Sequence, residues 1–445
     1  MTKTRPATPT VAFIDQYCAQ YRSLFKNVRH FEHFTALHLG LLAETRHKSL
    51  PQLGKTVHAD PQALHHLLAK ASWSVEEVRA QRLELLQQAL GETPFILCID
   101  ETGDRKKGHT TDYVSHQYIG NLHTLANGVV SVNAYGLLGT TTFPLLFRVF
   151  KPESRLKPGD VYKSKPQLAI EIIEELVARG FHFSVVLADA LYGESGEFIS
   201  ALHRLKLQYV VAIRSNHGVW LLPGQRVRQT RWRPFERVFT DGSTEQRFLR
   251  ETVYGKRQAV RYYQITTDPA TLPPETTWDL MTNQPGKIDK TVGNTFGLRT
   301  WVEYGFKHSK DDLGWADYRL TDYASIERWW ELVMSAYTLV SLQTPDFAAL
   351  GRVAAPPATA APPTAEPAPT EPPAAATVAA HPAWDSGNGW KQHLNNLRLL
   401  LQPYVCSCLL LPWLHLVPLP HVQAVQTGFA ALGSLVDTFR LALPT

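Results

Sequence analysis

The chain has 445 residues and a mass of 50.0 kDa, enough for two to four domains at roughly 100–200 residues each. Apolar residues make up 44% and charged residues 19%, which is typical of a globular protein and excludes a chain that is disordered throughout. The net charge of +5 is too small to indicate a partner, so the positions of the charges matter more. Four Cys residues exclude a disulfide scaffold and favour the cytoplasm.

No targeting segment is predicted, because no long apolar run follows Lys3 and Arg5. Three Pro residues break the apolar stretch 405–422, so no membrane helix is expected there. The same region contains Cys406, Cys408, His415 and His421, whose spacing favours apolar packing over a metal site.

Residues 1–92 predict a helical N-terminal domain with possible DNA binding. Two short helices, 50–59 and 62–71, are expected to meet at Asp60, a good N-cap followed by Pro at the first helical position. This layout fits a helix-turn-helix, and two packed helices of a bundle fit it equally well.

Residues 93–213 predict the first part of an α/β core, because apolar strand-like runs alternate with amphipathic helices. The expected strands are 95–99, 128–138, 141–150, 183–188 and 209–213, and the expected helices are 166–179 and 196–205.

Residues 214–284 predict a β-rich insertion with strands at 232–239, 246–253, 258–266 and 278–282. From 203 to 261 there are 13 Lys and Arg against 4 Asp and Glu, a net charge of +9. This density favours a polyanion partner over a solvated basic face, with Arg228, Arg231 and Arg233 as candidate phosphate contacts. Trp220 and Trp232 are interleaved as candidate stacking platforms.

Residues 285–345 predict the second part of the core, with helices at about 291–311 and 326–342. Beyond it, 346–384 is predicted to be an Ala/Pro-rich linker, since eight Pro residues lie between 353 and 380. A C-terminal helical segment, 385–445, is expected to dock on its own chain or on a second copy.

Acidic residues follow two of the predicted buried strands, at Asp100 and Asp189. A simple turn cap explains each carboxylate alone, but two at neighbouring strand ends can converge and bind Mg²⁺. Glu303 is the candidate third carboxylate, on a helix face shared with Phe296, Arg299 and Lys310. A solvated, salt-bridged face explains that spacing as well. Asp311 and Asp312 are rivals for the third position, although they look like helix-end residues.

Four segments together resemble bacterial insertion-sequence transposases of the DDE superfamily, the cut-and-paste branch with a ribonuclease-H-like core and an inserted β-strand block. These segments are Ile99–Gly108, Gln117–Gly120, Leu187–Gly193 and Arg299–Glu303 with Lys310. The resemblance covers roughly residues 10–345. Arg299, Glu303 and Lys310 match a Tyr-Arg-Glu-Lys signature of that branch, and Phe296 stands at its Tyr position.

The resemblance implies that Asp100, Asp189 and Glu303 hold two Mg²⁺ ions, for which Mn²⁺ can substitute. It also implies that Arg299 and Lys310 clamp DNA phosphates, that a hairpin forms on the transposon end, and that an aromatic wall receives a flipped base. Trp278 and Trp301 are the candidates for that wall, with Trp220 as a further one, and core packing explains any single one of them better. Lys106 and Lys107 are candidate backbone contacts, and a surface loop without a role explains them equally well. The expected partners are transposon-end and target DNA, bound by a homodimer at the nucleoid.

Two other functions stay open at this point. A ribonuclease-H-like nuclease or resolvase needs the same metal site without strand transfer. A domesticated DNA-binding protein keeps the fold without cutting, although three intact carboxylates argue against it. A carboxylate glycosidase would explain the acids but not the arginine-rich block.

Overall fold

The apolar run that begins at Phe95 forms the centre of a sheet. In the computed structural model, which describes residues 5–120, 124–239, 241–354, 378–416, 422–441 and 443, eleven strands form one mixed sheet. The strands are β1 Phe95–Arg105, β2 Ser115–Ile119, β3 Thr124–Leu138, β4 Thr141–Val149, β5 Phe183–Ala188, β6 Tyr209–Ile213, β7 Val227–Gln229, β8 Arg233–Val238, β9 Thr244–Tyr254, β10 Arg261–Thr266 and β11 Trp278–Thr282.

The sheet combines parallel and antiparallel pairs in the order β2-β3-β1-β5-β6-β11-β10-β9-β7, with β4 on β3 and β8 on β9. Parallel pairing joins β1 to β5 and β5 to β6, and the remaining pairs are antiparallel. The expected mixed α/β class is confirmed, and the arrangement is consistent with a ribonuclease-H-like core.

The β-rich block continues this same sheet, because β11 pairs with β6 from Asp279↔Ile213 to Thr282↔Val210. Whether the block is a separate inserted subdomain stays a prediction. Strands β2 and β7 were not expected from the sequence, since both are short and neither has an apolar run.

The helices follow the sequence closely at several points. They are α1 Ala12–Ala19, α2 Val28–Leu42, α3 Leu50–Val57, α4 Pro61–Ala69, α5 Val75–Leu90, α6 Lys165–Ala178, α7 Ala190–Gly193, α8 Gly196–Arg204, α9 Val292–Gly297, α10 Thr300–Lys307, α11 Tyr323–Leu342, α12 Pro345–Ala354, α13 Trp390–Leu416 and α14 Val422–Val436. Asp60 caps α4 as expected, accepting from the backbone N–H groups of Gln62 and Ala63. Within the described residues, none of these helices has both the length and the apolarity to cross a membrane.

The chain divides into two compact units, Met1–Gly91 with Lys307–Thr445, and Glu92–Phe306. The first unit is helical around α11, where every residue from Trp329 to Leu342 is buried. The buried carboxylate of Glu331 accepts from Arg82 (2.6 Å) and Arg79 (3.1 Å), so this core contains a compensated ionic cluster.

The start of the C-terminal segment packs within the first unit. Trp390 stacks on Tyr337 with ring centroids 4.2 Å apart, and Leu394, Leu397 and Leu401 are buried. This agrees with docking on its own chain. The helix α12 occupies the first part of the segment predicted as a linker, and the Pro-rich stretch 355–377 and His421 lie outside the described residues.

Candidate active site

Asp100 lies on β1 directly after the last residue that pairs in parallel with β5, Ile99↔Ala188. The sequence predicted that the strand ends there, which is wrong. Antiparallel pairing with β3 carries β1 on to Arg105↔Gly128. The side chain of Asp100 is largely buried, and its Oδ1 accepts from the backbone N–H of Glu101 at 2.8 Å.

Asp189 follows the last residue of β5 and therefore meets the same edge of the parallel pair as Asp100. Its Oδ1 accepts from the backbone N–H of Leu191 at 2.9 Å, which caps the short helix α7. Asp189 is therefore a helix cap, one of the two roles that the sequence left open for it. It uses one hydrogen bond and leaves the other carboxylate oxygen for a further contact.

Arg299 lies in the break between α9 and α10, and Glu303 lies in the first turn of α10. The sequence predicted one continuous helix with Phe296, Arg299, Glu303 and Lys310 on one face, and this is wrong. Gly293 and Gly297 weaken α9. A π turn, His308–Asp312, follows α10 and changes the residue spacing before Lys310.

The guanidinium of Arg299 connects two of the three carboxylates. Its Nη1 donates to Asp100 Oδ2 at 2.5 Å, and its Nη2 lies 3.5 Å from Glu303 Oε1. Burial opposes the charged guanidinium, but Asp100, Asp189 and Glu303 together raise the pKa of Arg299. Arg299 therefore stays protonated and supplies positive charge to the acidic cluster.

The acidic cluster holds more negative charge than Arg299 compensates. Burial raises the pKa of Asp100 to about 7, Arg299 opposes this shift, and Asp189 adds to it. Asp100 and Asp189 lie at one edge of the parallel strands and offer oxygen donors, which a hard divalent cation prefers. The donor set therefore fits such an ion.

Glu303 does not form a three-carboxylate site with the two aspartates in this structure. Its side chain is 58% exposed, and among the described residues no three His, Cys, Asp or Glu side chains are close enough to hold a metal ion together. Arg299 links Glu303 to Asp100.

Asp312 belongs to a different cluster and is no rival as a metal ligand. Its carboxylate binds His308 Nδ1 (2.9 Å), Lys391 and Arg398 Nη1 (3.4 Å). Burial alone would raise the pKa of Asp312, but His308 and Lys391 hold it well below its usual range. Lys310 lies in the same π turn and is half-buried.

The predicted DNA contacts differ in how accessible they are. Arg228, Arg231 and Arg233 are exposed, and so is Lys107, whereas Lys106 is half-buried. Arg233 pairs with Asp289 at 2.6 Å, and Arg228 donates to the carbonyl of Gly255 at 3.0 Å. These positions suit a surface that meets a polyanion.

The tryptophans also differ. Trp220 is fully exposed, Trp301 is half-buried against Tyr304, and Trp278 is half-buried with the guanidinium groups of Arg237 and Arg247 over its ring. Neither arginine was expected from the sequence to have a particular role. The sequence did contain a sign of them. Side chains alternate between the two faces along β8 and β9, and both arginines stand at inward-facing positions, where apolar residues are expected.

Comparison with known proteins is consistent with this fold. The family model described as DDE superfamily endonuclease matches residues 20–268. The chain therefore belongs to the DDE superfamily endonucleases, enzymes that generally use divalent metal ions.

A more specific likeness is to the probable transposase for insertion sequence element IS701 of Microchaete diplosiphon. The two sequences are 54% identical over 329 residues, which is 74% of this chain and 87% of that protein. The resemblance to insertion-sequence transposases is thus confirmed.

Proposed function

We propose that this chain is a DNA transposase that cuts DNA at the ends of an insertion sequence and joins those ends to target DNA. The observation that carries the proposal is the placement of Asp100 and Asp189 at one edge of the parallel strands, with Arg299 bonded to Asp100 and near Glu303. The likeness to an insertion-sequence transposase supports the substrate.

Asp100, Asp189 and Glu303 would hold two Mg²⁺ ions, with Mn²⁺ as a substitute. When bound, such ions activate the attacking oxygen and stabilise the leaving oxygen of an in-line displacement at phosphorus. Glu303 would complete the set by moving with its first helical turn toward the aspartates. Its exposed side chain is free to make this movement.

Arg299 and Lys310 would bind phosphates beside the cut strand. Arg299 has further N–H groups beyond the one that Asp100 accepts, and its fork geometry suits a phosphate. By compensating negative charge before DNA arrives, Arg299 also keeps the carboxylates close together. We further propose that Lys106, Lys107, Arg228, Arg231 and Arg233 contact the DNA backbone.

The finer features of the branch complete the proposal. They are a hairpin on the cut end, a flipped base received by Trp278 or Trp301, a β-rich inserted subdomain and a homodimer at the nucleoid. A nuclease or resolvase without strand transfer and a non-cutting DNA-binding protein are the rival outcomes.

The test uses the full chain, Mg²⁺ and duplex DNA taken from either border of its gene, with a scrambled-border duplex as control. We expect nicking at the border and joining of the cut end to a second DNA. Nicking without joining would indicate a nuclease or resolvase. Binding without nicking, in Mg²⁺ and in Mn²⁺, would contradict the proposed activity.

A further inference from the structure

The hairpin of β8 and β9 has an inner and an outer side, as strand alternation requires. On the inner side Phe235 and Leu249 are buried, and the α9 residue Gly293 packs on Phe235. Further along the same side stand Arg237 and Arg247, which are only 7% and 6% exposed. The inner side thus changes from apolar to cationic toward the end of α9.

Of these two arginines, Arg247 has a carboxylate partner. Glu245 is the register partner of Arg237, yet it pairs with Arg247, whose Nε lies 2.6 Å from Glu245 Oε2. Among the described residues, Nε and Nη1 of Arg237 are buried without a hydrogen-bond acceptor. The site therefore carries one uncompensated positive charge.

Aromatic rings hold the guanidinium of Arg237 in place. Its Cζ lies 4.4 Å from the ring centre of Trp278 and 4.7 Å from that of Phe239. Such contacts are favourable but do not replace the hydrogen bonds that a desolvated guanidinium loses. Burial and the neighbouring Arg247 accordingly lower the pKa of Arg237 to about 10.

A buried cation of this kind is costly to folding, and an apolar side chain of similar length would avoid the cost. Retaining the charge is consistent with a ligand that supplies the missing acceptor. Because the missing partner is an acceptor and the local charge is positive, the ligand is an anion.

The site adjoins the end of α9, which is close along the chain to the candidate catalytic residues. A Cβ added to Gly297 would lie 3.4 Å from Cζ and Nη2 of Arg237, so the backbone at the end of α9 approaches the guanidinium closely. Gly297 is two residues before Arg299 and six before Glu303. Phe296 packs edge-on against Trp278, with ring centroids 5.3 Å apart.

We propose that Arg237, with Arg247 beside it, is a phosphate-binding site that receives a DNA phosphate next to the cut position. This inference rests on the proposed function for the identity of the anion. Since Nε and Nη1 are buried without DNA, binding requires the guanidinium to rotate away from the ring of Trp278.

The first test compares Arg237→Met with Arg250→Met. Arg250 lies on the same hairpin and also stacks on a tryptophan, but its Nε and Nη2 donate to Gln264 at 3.0 and 2.6 Å. Binding to border duplex is measured without metal, between 50 and 200 mM salt. We expect Arg237→Met to bind about tenfold more weakly.

The salt slope of log affinity should also fall by about 0.9 in Arg237→Met and stay unchanged in Arg250→Met. The Arg237→Met variant should melt no lower than the wild type. An unchanged salt slope in Arg237→Met would show that the side chain only packs, and would overturn the proposal.

The second test does not depend on that variant folding. The fluorescence of the wild type minus that of Trp278→Phe isolates the signal of Trp278, which should change when border duplex is added. No change would overturn the proposal. An equal change with millimolar inorganic phosphate alone would assign the site to a free anion and overturn the assignment to DNA.

Neither test requires cleavage. A chain that never cuts DNA but shows the Arg237-dependent slope would contradict the proposed function and keep this site. If the wild type cuts and joins DNA but Arg237→Met leaves the salt slope unchanged, the proposed function stands and the proposed phosphate site is wrong.

Discussion

Asp100 and Asp312 are both largely buried aspartates, and they sit at opposite extremes of charge compensation. Asp312 is surrounded by His308, Lys391 and Arg398, and its pKa is held well below its usual range. Asp100 has Arg299 as its cationic partner, and burial raises its pKa to about 7, a shift to which Asp189 adds.

The difference separates charges that hold the fold from charges kept for a ligand. An aspartate with excess cations has gained its stabilisation within the protein, and its removal leaves those cations unpaired. An aspartate with too few cations has a deficit that a bound ion can fill. Arg237 is also a buried charge with too little opposite charge around it, but its charge is positive.

The largest effect, on cleavage, is expected for the carboxylates of the candidate active site, which have too few cations around them. Asp100→Ala, Asp189→Ala and Glu303→Ala should each lower metal-dependent cleavage by about 10³-fold or more, because each removes a carboxylate for the reacting centre. Binding to border duplex should stay largely intact. Gel-based cleavage and binding assays on the same DNA measure the two effects.

Glu175→Gln is the matched control for that series. Glu175 also sits in the Glu92–Phe306 unit and pairs with Arg148 and Arg179, but it lies on α6 and has no proposed role. It should keep cleavage. Full cleavage by Glu303→Ala would show that another acid completes the set.

A smaller effect, on stability, is expected for Asp312→Asn. It leaves Lys391 and Arg398 without their shared carboxylate and should lower the free energy of unfolding by about 2–3 kcal/mol. Denaturant unfolding measures this loss. Glu32→Gln, which breaks the more exposed pair with Arg5, should cost under about 1 kcal/mol.

The pH dependence of that loss follows from the sign of the shift. A carboxylate with a lowered pKa stabilises the fold above its ordinary value of 3.8, and this stabilisation disappears as the pH falls toward the lowered value. The difference between wild type and Asp312→Asn should therefore shrink as the pH falls below about 4. If Asp100→Asn costs more stability than Asp312→Asn, the contrast between the two aspartates is wrong.

The smallest effect is expected at the exposed arginines, whose charges are already hydrated. Replacing Arg228, Arg231 and Arg233 together with Ala should reduce the salt slope by up to about 0.9 for each lost phosphate contact, with no loss of stability. Arg204→Ala, an exposed arginine on α8 that pairs with Glu174, is the control. An unchanged slope in the triple variant would show that the three arginines face solvent when DNA is bound.

Much of the sheet was predictable because its buried strands carry long apolar runs. The bounds of β5, β6 and β11 match the expected ones, since a polar residue stands at each end of every one of these strands. The end of β1 was not predictable, because Asp100, Thr102 and Asp104 look like loop residues until the antiparallel partner β3 is known.

Some residues of the candidate site were likewise predictable from the sequence, and others were not. Asp100 and Asp189 could be found because each directly follows a buried apolar run, and Glu303 could be found from a motif. Arg237 approaches Gly297 from β8, about 60 positions earlier in the chain, and Lys391 and Arg398 reach Asp312 from about 80 positions later. Spacing along the sequence carries no information on such distant partners.

The unit built from Met1–Gly91 and Lys307–Thr445 has a consequence for the chain as it leaves the ribosome. Helix α5 emerges with Arg79 and Arg82, but their partner Glu331 follows about 250 residues later. At about 5–20 residues per second, synthesis leaves those helices waiting for roughly 12–50 s. The Glu92–Phe306 unit is contiguous and can fold during that interval. A newly made chain thus has a finished candidate catalytic sheet while its first helices still await their core, and in that interval those helices are open to chaperones and proteases.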